Sequence, residues 1–301
     1  MKLRFDVNGK TQPDPFIFRD KSGRLYLYCT GFEGVHAYSA EKLDGIWHYE
    51  GVVLAIEGGV RYWAPSVIEL NGKYYMYFSY HMPGMFEHLH VATSECPLGP
   101  FTNAVKLYDR FTIDSHTVKT DEGLYLFYAE NNESDSRIGT RIFVDKLLDP
   151  FTPANVCKEI ISPTRDEEIS DERDGKPWYT LEGAFYIEKD GWQYVMYSGG
   201  AFTDNTYHIG YAAAKKDERD LLKVDFQKFA KNGDFRPVMC GSSREEGVGH
   251  HSVIELDGEF YAVYHARDIG ALQDGDYVEA RTARFCKLNI ADGIITAEME
   301  Q

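Results

Sequence analysis

DPFIFRDKSGRLYLY, residues 14–28, reads as a short apolar run, a glycine turn and an aromatic run, and the pattern returns four more times. The further copies are APSVIELNGKYYMYF (64–78), DSHTVKTDEGLYLFY (114–128), EGAFYIEKDGWQYVMY (182–197) and HHSVIELDGEFYAVY (250–264). Alternating β-branched and aromatic residues are strand chemistry, because such side chains pack well on a pleated surface. Asn71-Gly72 and Asp257-Gly258 are hairpin signals, since both residue types tolerate the positive φ of a two-residue turn. Each copy is therefore read as a β-hairpin.

Further strand-like runs lie between the copies, at HLHVATS (88–94), TRIFVD (140–145) and YHIGYAAA (207–214). Short breaks such as CPLGPF (96–101) and LLDPF (147–151) end two of these runs. One hairpin plus one or two more strands is a four-stranded propeller blade, and five such units close around a central channel. The expected fold is all-β, a five-bladed β-propeller occupying residues 1–301 as a single domain. A β-sandwich is the alternative, and five equivalent repeats argue against it. The best candidate for a short helix is 215–230.

The five copies differ at one informative place. Asp14, Asp114 and Glu182 each lie nine residues before the turn glycines Gly23, Gly123 and Gly191. Ala64 and His250 lie eight before Gly72 and Gly258, in copies whose turns are one residue tighter. All five are read as equivalent starts of a blade's inner strand, which converge on one mouth of the channel. Three carboxylates and a histidine would then meet around one axis. Crowded carboxylates cannot all ionise with ease, so their pKa values are driven apart. One can stay protonated as an acid while another serves as a base, the pair that glycoside hydrolysis needs. A single strand-end carboxylate is more often a turn cap, but three at one register of a repeat are not. A divalent cation held by the same oxygens is the competing use.

At these residues the chain resembles glycoside hydrolase family 43, through Asp14-Pro15, Trp63-Ala64-Pro65, Ile113-Asp114, Glu182-Gly183 and Gly249-His250 in order. The resemblance implies an inverting hydrolase: Asp14 the general base, Glu182 the general acid, Asp114 the carboxylate that modulates the acid and orients the sugar. It also implies that His250 faces a channel metal ion, directly or through water, with Ca2+ the candidate and no cofactor required for the chemistry. Arg281, in EARTARFCKL, matches a last-blade arginine that reaches the site. Two departures stand out. Ser66 follows Trp-Ala-Pro where the family commonly has an acidic residue, and Ser115-His116 stands where many relatives have Pro-Ser.

Around this set, Trp63 is the expected platform for a sugar face. His81 and Phe86, in SYHMPGMFEHLH (79–90), are expected on a pocket wall, and His116 is a candidate donor to the sugar or to Asp114. His81, His88 and His90 lack a closed zinc spacing with thiolates. The stretch SPTRDEEISDERDGKPWYT (162–180) is the longest irregular one, with Trp178 and Tyr179 expected to border the leaving-group subsite. Most of the 21 tyrosines sit in the repeated strands and are read as packing residues.

The formal net charge of −16, from 48 acidic against 32 basic residues, disfavours nucleic acid and anionic membrane as partners and leaves a neutral sugar unpenalised. The N-terminal residues carry no apolar signal core, and no stretch approaches a membrane span. Five scattered cysteines include two, Cys29 and Cys286, in apolar runs expected to be reduced core thiols. A cytoplasmic location is the simplest account, and a trimmed secreted form would look the same. The leading expectation is an exo-acting enzyme releasing L-arabinofuranose from arabino- or arabinoxylo-oligosaccharides. β-Xylosidase is the close alternative. Endo-arabinanase and a non-catalytic sugar-binding propeller come behind, and a homo-oligomer is a candidate way of completing the pocket.

Overall fold

The computed structural model describes residues 1–229, 234–271 and 279–299. All five repeated stretches form hairpins, pairing Phe16–Arg19 with Leu25–Cys29, Val60–Leu70 with Lys73–His81, and Ile113–Thr120 with Gly123–Asn132. The last two pair Leu181–Lys189 with Trp192–Gly199 and Glu245–Leu256 with Glu259–Asp268. The Asn71-Gly72 and Asp257-Gly258 turns have φ of 55° and 83°, and 53° and 83°. Two successive positive φ values match the right-handed twist of the flanking strands, which is why these dipeptides sit there.

Each hairpin recruits the strands that come after it, giving five sheets in chain order. The first adds Val35–Ala40 and Ile46–Leu54, and the second adds His88–Ser94 and Thr102–Lys106. Gly139–Asp149 extends the third, His208–Lys215 the fourth, and Thr282–Ala291 with Ile294–Glu298 the fifth. The first strands of successive sheets touch one another in order, and the fifth returns to the first, closing a ring.

The core follows this ring. Five apolar clusters each lie between two successive sheets, and the fifth-to-first cluster joins Ile254, Val263 and Phe285 to Leu27, Tyr38 and Trp47. A sheet that is apolar on both faces must be covered on both, and sheets packed face to face around an axis achieve this without a separate layer. The ring is fastened by the N-terminal segment, where Leu3 N–H donates to Ala283 O at 3.1 Å and Gln12 N–H to Arg281 O at 2.9 Å. The fold is thus all-β with a β-propeller arrangement. Cys29 and Cys286 are buried free thiols, as their apolar surroundings implied.

Two expectations are corrected. No helix forms over 215–229, the described part of 215–230; among the described residues the only helical turn is a 3-10 segment, Asp166–Glu168. Leu221, Val224 and Phe226 instead wedge into the cluster between the third and fourth sheets. Asp220 Oδ1 holds the turn, accepting from Leu222 N–H at 3.3 Å and Tyr125 O–H at 3.0 Å. Nor is 162–180 irregular throughout, because Ile169–Arg173 and Lys176–Tyr179 form a hairpin on the edge of the third sheet. The buried Glu168 anchors its base by accepting from Thr164 N–H at 2.7 Å and pairing with Lys228.

Candidate active site

The inner strands begin with a kink that aims side chains along the axis. Asp14, Ala64, Asp114 and His250 have φ of 50°, 43°, 60° and 42°, and the fourth sheet has Gly183 at 61°. Positive φ in non-glycine residues costs free energy, and it recurs here in every sheet where the ring's inner ends converge. The five-fold equivalent of Asp14 is therefore Gly183, eight residues before its turn glycine, and Glu182 lies one residue earlier. The expected equivalence of all five positions holds for four. Pairing in the fourth sheet is regular at Glu182 opposite Ser198 and shifts before Phe185. That offset lets Glu182 approach the same mouth from a different backbone position.

Asp14 is enclosed by donors. Arg281 Nη1 donates to Oδ1 at 3.0 Å, and Thr30 Oγ1 donates to Oδ2 at 2.6 Å. His250 Nδ1 lies 3.5 Å from the same Oδ1, and the Asp14 main-chain N–H donates to His265 Nδ1 at 3.1 Å. Burial pushes the carboxyl's pKa up, but the Arg281 guanidinium and His250 outweigh it, so Asp14 titrates well below the usual carboxylate range. Arg281 is fixed by Glu279, which accepts from Nη2 at 2.6 Å and Nε at 3.0 Å, and its guanidinium lies over the Phe202 ring.

Asp114 and Glu182 behave oppositely. Burial, then the charges of Glu182 and Asp14, push Asp114 well above the usual range. Burial, opposed by a hydrogen bond from Tyr207, pushes Glu182 up to about 7, and the Asp14 charge adds to the rise. The Tyr207 hydroxyl donates to Glu182 Oε1 at 2.6 Å. One wall of the site is thus ionised across the neutral range while the facing wall retains a proton. Such a split can supply a base and an acid at the same pH.

This division has a stability signature. A carboxyl whose folded pKa is raised contributes stability below its unfolded pKa and loses it as pH rises through the folded value. Glu182→Gln removes that loss. Urea unfolding should find the variant about 3 kcal/mol more stable than wild type at pH 8, with the difference vanishing near pH 4. Equal stabilities at both pH values would contradict the raised Glu182 pKa.

The expected site residues separate into groups. Trp63 and Arg281 line a pocket of about 740 Å3 together with Phe32, Phe202, Lys10 and Arg61; it reaches Asp14's partners Thr30 and Arg281, but none of the three carboxylates lines it. His116 does not line that pocket: it is buried, stacked on Phe185 with ring centroids 4.0 Å apart, and lines a small cavity that Asp14, Asp114, His250 and His251 also line. His81 Nδ1 lies 3.2 Å from Glu87 Oε1, and Phe86 is 74% exposed; neither lines the 740 Å3 pocket. Trp178 is buried under the Arg173 guanidinium, 3.7 Å from its ring centroid, and is also absent from that lining. The two departures, Ser66 and Ser115, face each other with hydroxyls 3.1 Å apart.

Asp114, Glu182 and His250 each offer one ligand atom within 4.8 Å of the others. Calcium takes about six to eight oxygens, so two carboxylates and an imidazole form an incomplete shell for it. The donor set fits Ca2+ poorly, and no step is derived through it.

Sequence reasoning missed Thr30, His265, Tyr207 and Glu279. Only Thr30 and Glu279 carried a usable signal, as polar residues at the ends of an apolar strand and of the arginine run.

A closed ring of sheets with three unequal carboxylates at the mouth of its channel is the arrangement of a propeller glycoside hydrolase. The chain belongs to glycosyl hydrolases family 43, whose profile matches residues 7–295. It is 26% identical to an extracellular exo-α-(1→5)-L-arabinofuranosidase of Streptomyces avermitilis, over 85% of this chain and 54% of the relative. A xylosidase/arabinosidase of Bacteroides ovatus is 24% identical, with 98% and 97% covered. Among solved structures, a thermostable family-43 glycoside hydrolase superposes with a TM-score of 0.82 at 29% identity, covering 98% of this chain and 95% of that one. The chain spans about half the length of the first curated relatives it matches.

Proposed function

We propose that the chain is an inverting, exo-acting α-L-arabinofuranosidase on arabino- and arabinoxylo-oligosaccharides, with each of the five sheets serving as one blade. The observation that carries the reading is the split between Asp14, held ionised by Arg281, and Glu182, which keeps its proton to about pH 7. Asp14 acts as base on a water and Glu182 as acid on the leaving oxygen. Asp114, itself disposed to hold a proton, keeps the acid's pKa high and positions the sugar. Two carboxyls used in this way invert the anomeric centre in one displacement. The chemistry runs through side chains, and no step is assigned to a metal ion.

The aromatic lining of the pocket supports a sugar ligand. Trp63, Phe32 and Phe202 offer apolar faces, while Lys10, Arg61 and Glu33 supply hydrogen-bonding groups at the rim. A few polar groups on an apolar wall is how small neutral ligands are oriented. β-Xylosidase activity is the second reading, favoured by the Bacteroides ovatus relative, whose name carries both activities and whose length matches throughout.

The test is parallel hydrolysis of nitrophenyl α-L-arabinofuranoside and nitrophenyl β-D-xyloside. Preference for the arabinoside supports the first reading, and preference for the xyloside promotes the second. Hydrolysis of neither pentoside nor arabino-oligosaccharide overturns both. The pH profile should fall on the alkaline side near 7, as Glu182 deprotonates, and stay flat well into the acid range, because the Asp14 pKa is depressed.

A further inference from the structure

Glu182 is anchored unlike Asp14. Among the described residues a single hydrogen-bond donor reaches its carboxyl, the Tyr207 hydroxyl at 2.6 Å. Tyr207 is fully buried just ahead of the strand His208–Lys215, and its phenol is pushed well above the usual range, so it stays protonated and donates. Other buried tyrosines here bond to main-chain carbonyls, as Tyr28 does to Pro97 O at 2.7 Å and Tyr77 to Pro150 O at 2.9 Å. Where a buried tyrosine meets a carboxylate elsewhere, other groups hold that carboxylate too. Glu245, bonded by Tyr264, is also bonded by Arg284 Nη1 at 2.7 Å.

The ring of Tyr207 packs against the fifth sheet. It lies parallel to the His265 imidazole, with centroids 5.7 Å apart and planes 8° apart. Gly249, paired with His265 across two strands of the fifth sheet, leaves room for the ring, since a Cβ there would stand 1.9 Å from it. His265 in turn receives the Asp14 main-chain N–H and places Nδ1 3.2 Å from Oδ1. One stack therefore joins the two walls of the site, from Glu182 through Tyr207 and His265 to Asp14. It also accounts for the glycine before His250 without appeal to backbone conformation.

We propose that Tyr207 is a positioning residue for Glu182, fixing the carboxyl and setting its acidity, and that the Tyr207–His265 stack maintains the spacing between acid and base. The proposal rests on the reading of Glu182 as the acid, so its test includes one arm that needs no substrate.

In Tyr207→Phe the Glu182 carboxylate loses its donor, so its pKa should rise. The alkaline limb of kcat/KM is expected to move up by about one pH unit, a tenfold change in the ionisation constant. Oligosaccharide turnover should fall roughly tenfold or more through lost orientation, with a smaller loss on dinitrophenyl pentosides, whose leaving group needs little protonation. A slower enzyme with an unmoved limb and the same leaving-group dependence would reduce Tyr207 to packing. Independently, 13C NMR titration of labelled glutamate, assigned with Glu182→Gln, should show the Glu182 carboxyl titrating higher in Tyr207→Phe than in wild type. An unchanged titration overturns the proposal whatever the substrate proves to be, whereas a shift in a chain inactive on pentosides overturns only the functional reading. Should Tyr207→Phe fail to fold, the wild-type protein decides. A slowly exchanging, downfield Tyr207 hydroxyl proton that disappears in Glu182→Ala supports the contact, and its absence from wild type refutes it.

Discussion

Asp14→Asn is expected to lower kcat/KM on arabino-oligosaccharides by roughly 10^3-fold or more, at every pH, with KM little changed. The amide keeps the shape, and its oxygen can still accept from Arg281 while its NH2 faces Thr30 Oγ1 as a donor, but it cannot take a proton from water. The loss should be the same for good and poor leaving groups, because activation of water is needed for both. A depressed pKa makes Asp14 a weak base, and its place in the reaction depends on Arg281 and Thr30 holding it in line rather than on basicity. Folding should suffer too, since Arg281 keeps Glu279 but loses a charged partner; removing one side of a buried pair costs about 3–5 kcal/mol, less where a second partner remains. Rate loss confined to poor leaving groups would mean that Asp14 is not the base.

Glu182→Ala should show the complementary pattern. Turnover of an oligosaccharide, whose alkoxide leaving group must be protonated, is expected to fall by roughly 10^2- to 10^4-fold. A dinitrophenyl pentoside leaves unaided, and its hydrolysis should fall by less than about tenfold. The alkaline limb near pH 7 should vanish from the profile of the activated substrate, because the group responsible is gone. A limb that persists in the variant would assign it to Asp114, whose pKa is also raised. The two variants together separate the roles more sharply than either alone.

Much of this site was legible in the sequence because it rides on the repeat. Asp14 and Asp114 sit at the same register of two hairpins, and the turn glycines make that register countable. Glu182 was found by the same count for a partly mistaken reason. Counting back from a turn cannot see that Gly183, rather than Glu182, takes the left-handed residue in the fourth sheet. The residues that tune the carboxylates were not legible at all. Tyr207 lies just ahead of one aromatic strand and His265 within another, and nothing in YHIGYAAA or FYAVYHARD separates a ring that contacts the site from one that packs a blade. Their role exists only once the fourth and fifth sheets are laid side by side.

The misread segments have a common cause. Residues 162–180 are rich in Asp and Glu and poor in β-branched residues, yet part of the stretch pairs as an edge hairpin, with Trp178 packed under Arg173 and Glu168 anchoring its base. Residues 215–230 carry apolar residues at nearly helical spacing, but Leu221 and Val224 are drawn into the cluster between two sheets before a helix can close. In both places tertiary contacts overrode local preference, as expected for short segments with weak propensity. His116 could be read either as a contact of the sugar or of Asp114 or as an ordinary strand residue. Plain alternation would put it on the face of Asp114, two residues earlier, but the positive φ at Asp114 and the register shift between Ile113 and His116 break that alternation, and its ring packs on Phe185.

The central claim is that Asp14 and Glu182 work on opposite faces of one glycosidic bond. Proton NMR of the first arabinose released from an α-linked arabino-oligosaccharide, recorded before mutarotation, tests it most directly. The account predicts β-arabinofuranose as the initial product, formed by a single inverting displacement. Initial release of the α-anomer would contradict it, since retention requires a carboxylate to attack the sugar itself.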